Sequence, residues 1–389
     1  MWRALVANLL TLAIVGLVVA AGVIAWGRAQ FTGPGPLTEA VCVRVERGAN
    51  LATVSRALEA QGAISDARIM RIGAGYSDHG RGLRFGSYLV PEAASMVDIL
   101  DILTRGGQST CGAEVNYLIG VVNTEVILRE LDPATRRYEE MLRFDPAGEE
   151  PADYLDAVAD PALRYRVTVA EGATSWQVAE GLRHAGFLSG EVEAVPGEGW
   201  LAPDSYEVAP GSERMALLDE MEARQRRILE ELWAERDEEL PYDTMEEALI
   251  MASIIEKETG VPDERRQVAS VFVNRLRQGM RLQTDPTVIY GITGGQGVLG
   301  RGIRQSELRA VTPYNTYVID GMPPTPIANP GRASIAAALN PDDTPYIFFV
   351  ADGTGGHAFA VTLDEHNANV AKWREIEAER ARQQQEQAN

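Results

Sequence analysis

The sequence has little of what most metal and redox sites require. Its 389 residues include only two cysteines, Cys42 and Cys111, and four histidines. No Cys-x-x-Cys pair and no His-Glu-x-x-His motif occurs, which excludes a zinc ribbon, a thioredoxin-like dithiol and a zincin site. We therefore expect no metal and no other cofactor.

Positive charge is also scarce. Lys and Arg number 36 against 56 Asp and Glu, and the net charge is -20. A protein that binds nucleic acid through its phosphates needs a basic face, so we expect no nucleic-acid partner. No Gly-x-Ser-x-Gly elbow occurs, and the glycine cluster at 294–302 has no following Lys-Ser/Thr, so neither an α/β-hydrolase nor a P-loop is indicated.

The N-terminus has what the rest lacks, a long apolar run. Residues 4–26, from Ala4 to Trp26, carry no charge. As a helix they would span roughly 34 Å, enough to cross a bilayer core of about 30 Å. Trp2 and Trp26 fall where aromatic residues flank a membrane span. We interpret the run as an uncleaved anchor, with a cleaved signal peptide as the alternative.

An internal repeat follows the Gly- and Pro-rich linker at 32–36. Residues 43–65 match 167–189 at a constant offset of 124 positions. Alternating valines predict a strand, Gly48 and Gly172 a turn, and the next apolar residues a helix that ends at Gly62 or Gly186 in the left-handed conformation. Two unrelated strand-helix units that match by chance are the alternative.

Between the two copies, residues 112–163 form an insert of unknown role, in which Asn123–Leu131 reads as helical. Cys42 precedes the first repeat strand and Cys111 ends that copy. The two thiols would pair in an oxidising compartment, or remain free elsewhere.

Strong helix signals begin after Pro241, and one of the helices carries a candidate acid. In the helix Asp243–Thr259, the residues Met245, Leu249, Ala252 and Glu256 share one face. A carboxyl on a buried stripe loses hydration, which raises its pKa, and a protonated Glu suits general acid catalysis. The alternative is a Glu paired with a backbone group or with Arg275. Glu258, about 200° around the helix, is expected to be solvated.

Downstream residues mix amides, carboxylates and aromatic rings, as carbohydrate grooves do. Gln283 and Asp285 are the first candidates, although Asp285-Pro-Thr also reads as a helix or turn cap. His357 lies in a tight Gly-rich turn, where a lone His is more often structural. The other candidate substrate-binding residues are Asn274, Tyr290, Tyr314, Asn315 and Asn329.

Six ordered motifs resemble the YceG-like family of endolytic peptidoglycan transglycosylases. They are Ala252-Ser-Ile-Ile-Glu-Lys-Glu-Thr259, Val271-Phe-Val-Asn-Arg-Leu276, Met280-Arg-Leu-Gln-Thr-Asp-Pro-Thr-Val-Ile-Tyr-Gly291, Tyr314-Asn-Thr-Tyr317, Pro323-Pro-Thr-Pro-Ile-Ala-Asn-Pro-Gly331 and Phe348-Phe-Val-Ala-Asp-Gly-Thr-Gly-Gly-His357. The resemblance is strong over about 164–370 and weaker over the first repeat. It implies that Glu256 is the catalytic acid.

The resemblance also implies an architecture and a location. The fold class is α+β, with an N-terminal transmembrane helix, two LysM-like strand-helix units and a mostly helical catalytic domain with short strands. The location is the inner membrane, with the catalytic part in the periplasm. The expected segments are an anchor at 1–28, a linker at 29–40, LysM-like units at 41–111 and 164–240 around the insert, a catalytic domain at 241–375 and a polar tail at 376–389.

The activity implied is cleavage of the glycosidic bond between N-acetylmuramic acid and N-acetylglucosamine, which leaves a 1,6-anhydro end. The partners are peptidoglycan glycan strands, the membrane through residues 4–26, and, by resemblance, the synthases of nascent strands. No second catalytic carboxylate is obvious. The first alternative is a hydrolase that uses Glu256 with Asp285. The second is a non-catalytic wall-binding anchor.

Overall fold

The fold was analysed in a computed structural model, which describes residues 2–76, 82–104 and 109–387. Helices and strands are mixed along the chain, which confirms the α+β class. The chain divides into two compact units, and each is described by itself. Unit 1 comprises Met1–Asn116, Ile127–Phe144 and Glu150–Tyr165, and unit 2 comprises Tyr117–Val126, Asp145–Glu149 and Arg166–Asn389.

Unit 1 starts with a long apolar helix and continues with helices packed on short strands. In unit 1, β1 and β2 pair antiparallel, with Val43 opposite Tyr88, and a second group of strands has the order β5-β4-β3. Its elements are α1 (Trp2–Thr32), β1 (Val41–Val45), α2 (Leu51–Ala60), α3 (Ala67–Tyr76), β2 (Gly86–Val90), α4 (Met96–Thr104), the first residues of β3 (Ala113–Ile119), most of β4 (Thr124–Asp132), β5 (Arg137–Phe144) and α5 (Ala152–Val158).

Among the described residues, α1 is the one helix that is long and apolar enough to cross a membrane. Its Val6–Thr32 segment has a mean hydropathy of 2.5 and its apolar window has no residue buried in the protein. A signal sequence would pass the same test. The helix continues through residues 29–32, which the sequence assigns to the linker, because Phe31 packs into the unit 1 core. Gly33 and Pro34 then follow its end.

Unit 2 holds the helices that follow the second repeat copy. Its strand order is β3-β6-β7, and β8 pairs antiparallel with β9. The elements are most of β6 (Arg164–Val169), α6 (Ser175–His184), β7 (Ser205–Val208), α7 (Arg214–Ala234), α8 (Met245–Glu258), a 3₁₀ turn (Pro262–Glu264), α9 (Arg265–Arg277), α10 (Asp285–Thr293), α11 (Gln305–Leu308), α12 (Arg332–Leu339), β8 (Phe348–Ala351), β9 (His357–Ala360) and α13 (Leu363–Gln387).

The two repeat copies have the same local architecture. The turn glycines Gly48 and Gly172 both have positive φ, +75° and +79°, where a side chain would be strained. In each copy the strand before that turn lies beside a later strand, β1 beside β2 and β6 beside β7. The later strands carry Tyr88 and Tyr206, each only 2% exposed. Part of the first copy, at 77–81 and 105–108, lies outside the described residues.

Two local predictions in this region are wrong. Gly62 has φ +72° as predicted, but Gly186 is not left-handed. The two helices end at equivalent positions, yet the C-cap Ala185 of α6 is extended, whereas the C-cap Gln61 of α2 is helical. The segment Asn123–Leu131 is not a helix. It forms most of β4, whose consecutive buried residues Val126, Ile127 and Leu128 lie in a strand flanked on both sides by neighbours. Tertiary pairing overrides a local helical pattern here.

Candidate active site

The helix α8 positions the candidate acid at its C-terminal end. The Thr244 side chain accepts a hydrogen bond from the Glu247 N–H, and the Glu247 carboxylate accepts one from the Thr244 N–H. Both hydrogen bonds of a capping box are therefore present. Leu249 and Ala252 on the predicted stripe are fully buried. Glu256, in the last turn of the helix, is half-buried. Leu249 and Ala252 of the predicted stripe are thus buried, while the carboxyl that follows them is partly accessible.

The Glu256 carboxylate contacts the backbone of a distant loop. Its Oε2 accepts a hydrogen bond of 2.9 Å from the N–H of Gly331, the residue that caps α12. Arg275, the ion-pair partner considered as an alternative, instead donates to the carbonyls of Ile347 and Leu282. Glu256 thus has the backbone partner that a structural role predicts.

A second carboxylate, from Glu171, lies beside this contact. An added Cβ atom at Gly331 would collide with the Glu171 carboxylate, so both acids lie against the same glycine. Partial burial raises the pKa of Glu171, the charge of Glu256 raises that pKa further, and Arg265 lowers it. The sequence did not indicate that Glu171 lies near Glu256.

Lys257 and Glu198 extend the same cluster. Lys257 Nζ donates to the Gly172 carbonyl over 3.2 Å, and burial lowers the pKa of Lys257 while the charges of Glu256 and Glu198 raise it. Glu198 accepts from the Ser175 N–H at 2.8 Å and from the Tyr290 hydroxyl at 3.1 Å. Burial raises the pKa of Glu198.

Two of the predicted aromatic residues meet in this cluster. The rings of Tyr290 and Tyr314 lie 5.0 Å apart between centroids. Both side chains are half-buried, and the Tyr314 hydroxyl is 2.8 Å from Thr325 Oγ1. Tyr290 therefore connects the predicted aromatic pair to Glu198. The charge of Glu198 raises the pKa of Lys257, the residue after Glu256.

Glu258 lies in a different environment, and the expectation that it is solvated was wrong. Its carboxylate accepts a hydrogen bond from Thr284 Oγ1. Burial raises the pKa of Glu258 and the charge of Asp285 raises it too, whereas the Thr284 hydrogen bond, His357 and Arg275 lower it. The face of α8 opposite the stripe packs against protein, because Ala248–Ile255 are all buried.

Asp285 and His357 therefore lie close enough to Glu258 for their charges to affect its pKa. Asp285 is the first residue of α10, and its carboxylate accepts a hydrogen bond of 2.7 Å from the Tyr317 hydroxyl. His357 bonds through Nδ1 to Glu264 at 2.7 Å. Gln283 is exposed and has φ +50°, a conformation that side chains rarely adopt. Strained backbone at such a position is a marker of functional loops.

The three predicted asparagines are occupied by hydrogen bonds inside the protein. Asn274 donates to the carbonyls of Thr344 and Tyr346. Asn315, 1% exposed, donates to three carbonyls at the end of α11 and just after it. Asn329 is fully buried: it accepts from the Leu201 N–H and donates to the Ala173 carbonyl. These amides shape the loops of the site.

Glu171, Glu198 and Lys257 were not identified from the sequence. One signal was available for Glu171, because the equivalent position of the first copy is Arg47 while the neighbouring glycine is shared. Within 2–76, 82–104 and 109–387, no group of three His, Cys, Asp or Glu side chains is placed to hold a metal ion.

Comparisons with known proteins agree with the motif resemblance. The profile of the YceG-like family matches residues 144–372, more than half of the chain. A Bacillus subtilis protein named "Endolytic murein transglycosylase" is 45% identical over 125 residues, which cover 32% of this chain and 34% of that protein. A protein of the same name from Streptococcus pneumoniae strain D39 is 26% identical over 346 residues, 85% of this chain and 58% of that one.

The chain thus spans between about a third and somewhat over half of the length of these relatives. A crystal structure of a yceG-like protein from Listeria monocytogenes also matches, with 24% identity, a TM-score of 0.46, and coverage of 85% of this chain and 99% of that chain. The family match rests on the segment that contains α8, Glu256 and the loops around them. This chain belongs to the YceG-like family.

Proposed function

We propose that this chain is an endolytic peptidoglycan transglycosylase and that Glu256 is its catalytic acid and base. The observation that carries the proposal is the half-buried carboxyl at the end of a buried apolar stripe, inside the segment that matches the family. The name shared by the Bacillus and Streptococcus relatives supports the substrate and the reaction.

In the proposed reaction, protonated Glu256 donates its proton to the glycosidic oxygen between N-acetylmuramic acid and N-acetylglucosamine. The bond from that oxygen to C1 breaks. The C6 hydroxyl of the same muramic residue attacks C1, and Glu256, now a carboxylate, takes the hydroxyl proton. The product is a 1,6-anhydro end, and no water is consumed. One carboxyl performs both proton transfers, as general acid and then as general base.

The test is digestion of purified glycan strands, with mass spectrometry of the new ends. We expect anhydro ends from the wild type and a loss of about 10²- to 10⁴-fold in the Glu256→Gln variant, because the general acid is removed. Glu246→Gln, an exposed acid at the other end of α8, is the matched control and should cleave normally.

Each alternative has its own outcome in the same experiment. Ends with an added water would establish the hydrolase alternative. The second carboxylate of that alternative, Asp285, accepts a hydrogen bond from Tyr317, and its charge raises the pKa of Glu258. A wild type that binds wall material and never cleaves would establish the wall-binding anchor. Normal cleavage by Glu256→Gln would remove Glu256 from the mechanism.

Substrate contacts are part of the proposal and differ in strength among the predicted residues. Tyr290 and Tyr314 offer ring faces, Tyr290 being hydrogen-bonded to Glu198, and the exposed Gln283 and Asp285 offer polar groups. His357 has one ring nitrogen engaged by Glu264. Asn274, Asn315 and Asn329 would act through the loops they hold.

We propose that the two repeat copies are LysM-like glycan-binding units. Binding of the Glu256→Gln chain to insoluble peptidoglycan would test this proposal.

We further propose an anchor through residues 4–26 in the inner membrane, with the remainder in the periplasm. The apolar α1 supports the anchor, and the disulfide between Cys42 and Cys111 suits an oxidising compartment. Protease added to spheroplasts should digest the chain beyond α1; complete protection would contradict this orientation.

Peptidoglycan synthases are proposed partners by family resemblance alone, and co-purification after crosslinking would test them.

A further inference from the structure

Gly331 lies at a position where its backbone conformation does not require glycine. Its φ is -73° and its ψ is 165°, values that any residue adopts. The Glu171 carboxylate occupies the space that a Cβ atom would take, so any larger residue at this position would have to displace the Glu171 side chain. The N–H of the same residue binds Glu256 over 2.9 Å. Gly331 therefore allows two carboxylates to approach the same point.

Glu171 reaches this point from the turn of the second repeat copy. Its side chain is exposed, so a substrate bound at Glu256 can touch it. The adjacent Gly172, with φ +79°, holds the turn against α8, since its carbonyl accepts from Lys257 and its N–H donates to the Asn329 carbonyl. The turn is thus fixed relative to the end of α8.

The charged groups around Glu171 come from two helices. Glu256 and Lys257 lie on α8, and Arg265 lies at the start of α9. Partial burial and the charge of Glu256 raise the pKa of Glu171, and Arg265 lowers it. The nearby charge of Glu256 therefore favours the protonated form of Glu171.

We propose that Glu171 is the second carboxylate of the site and acts on the sugar ring whose bond Glu256 protonates. This inference rests on the proposed function. As the bond from C1 to the leaving oxygen breaks, positive charge develops on C1 and the ring oxygen. The Glu171 carboxylate stabilises that charge without forming a bond, and the C6 hydroxyl then closes onto C1 as Glu256 receives its proton. A fixed charge that faces developing charge is a large source of catalysis.

The first test is Glu171→Gln, assayed on glycan strands that the wild type converts to anhydro ends. We expect kcat to fall roughly 10²-fold while KM changes little, because the charge acts in the transition state. The wild-type rate should fall as pH drops through the pKa of Glu171, and the Gln variant should lack that acid limb. Glu171→Asp, which keeps the charge, should retain more activity. Glu193→Gln, an exposed acid of the same unit, is the control.

The second test uses Gly331→Ala, whose methyl group would displace the Glu171 side chain while φ and ψ stay permitted. We expect a loss of kcat similar to that of Glu171→Gln. The double variant should be no worse than either single variant, because both changes remove the same charge. Losses that multiply in the double variant would overturn the inference, since Gly331→Ala would then act through the loop.

The outcomes separate this inference from the proposed function. A wild type that makes anhydro ends, together with a Glu171→Gln variant of unchanged kcat and pH profile, overturns the role of Glu171 alone. A Glu171→Gln variant that unfolds more easily but keeps the wild-type pH profile assigns Glu171 a structural role and also overturns it. A wild type that never cleaves overturns both proposals.

Discussion

Glu256 and Glu258 are two residues apart on α8, yet they have different neighbours. Glu256 meets the Gly331 backbone, and Glu258, which is half-buried like Glu256, accepts from the buried Thr284. A carboxyl on the helix face opposite an apolar stripe is solvated only if that face meets water. In α8 it does not, since Ala248–Ile255 are all buried. The unbroken apolar letters of that segment were the available signal, because a helix that is apolar all round is a core helix.

Glu258 should make stability depend on pH. Its folded pKa is raised, mainly by burial, so the folded state holds more protons than the unfolded state between the ordinary pKa and the raised one. Its contribution to the free energy of unfolding therefore falls as pH rises through that window. In Glu258→Gln this decline should disappear, so the variant gains stability relative to wild type as pH rises above the ordinary glutamate pKa. Urea unfolding at several pH values measures it.

Glu193→Gln, which changes an exposed acid, should follow the wild-type pH dependence in the same titration. A difference between Glu258→Gln and wild type that is constant with pH would show that the Glu258 carboxyl does not titrate with a raised pKa. The Gln oxygen can still accept from Thr284, so the variant isolates the charge rather than the hydrogen bond.

At the scale of elements, the segment 327–331 is the piece that completes the candidate site. Ile327 N–H donates to Ser253 Oγ of α8, and Gly331 N–H donates to Glu256. Between them, Asn329 binds the turn that carries Glu171, through the Ala173 carbonyl. One short loop thus connects α8 to the second repeat copy, and its geometry depends on a buried amide.

Asn329→Ala should therefore destabilise unit 2. It leaves the Leu201 N–H and the Ala173 carbonyl with fewer partners in a fully buried place, and each such loss costs about 1–3 kcal/mol. We expect a decrease of about 3 kcal/mol in the free energy of unfolding, measured by urea denaturation. Asn367→Ala, an exposed asparagine of α13, is the control. Unchanged stability with lost glycan binding would instead establish Asn329 as a substrate contact.

At the scale of the whole molecule, unit 1 carries a covalent link that unit 2 lacks among the described residues. The Cys42–Cys111 disulfide joins β1 to the segment before β3 across 69 residues, with Cα atoms 5.7 Å apart. The sequence left open whether these cysteines pair. Closing a loop of that length restricts the unfolded chain and so stabilises the folded one.

The paired variant Cys42→Ser with Cys111→Ser should lower the free energy of unfolding of unit 1 by about 4 kcal/mol. Limited proteolysis at increasing urea, with fragments identified by mass, would follow unit 1 separately. Dithiothreitol should reproduce the effect in the wild type and change nothing in the variant. Equal protease resistance of the wild type and the variant would contradict a stabilising role.

The local parts of this protein were readable from the sequence. The charge-free N-terminal helix, the repeat with its turn glycines, and α8 with Glu256 at its end all follow from periodicity and from residues close in the chain. The glycine-rich turn before His357 was predicted for the same reason. Each depends on interactions within one or two turns, which a sequence pattern records directly.

The neighbours of Glu256 were decided only by tertiary structure. Gly331 follows Glu256 by 75 positions in the chain. Glu171 precedes Glu256 and lies in the turn of the second repeat copy. The burial of Glu258, the strand β4 and the internal use of the three asparagines likewise depend on which distant segments pack together. A residue's type and spacing set what it can donate, accept or bury, but the pKa of a carboxyl and the partner of an amide depend on atoms that the fold brings from elsewhere.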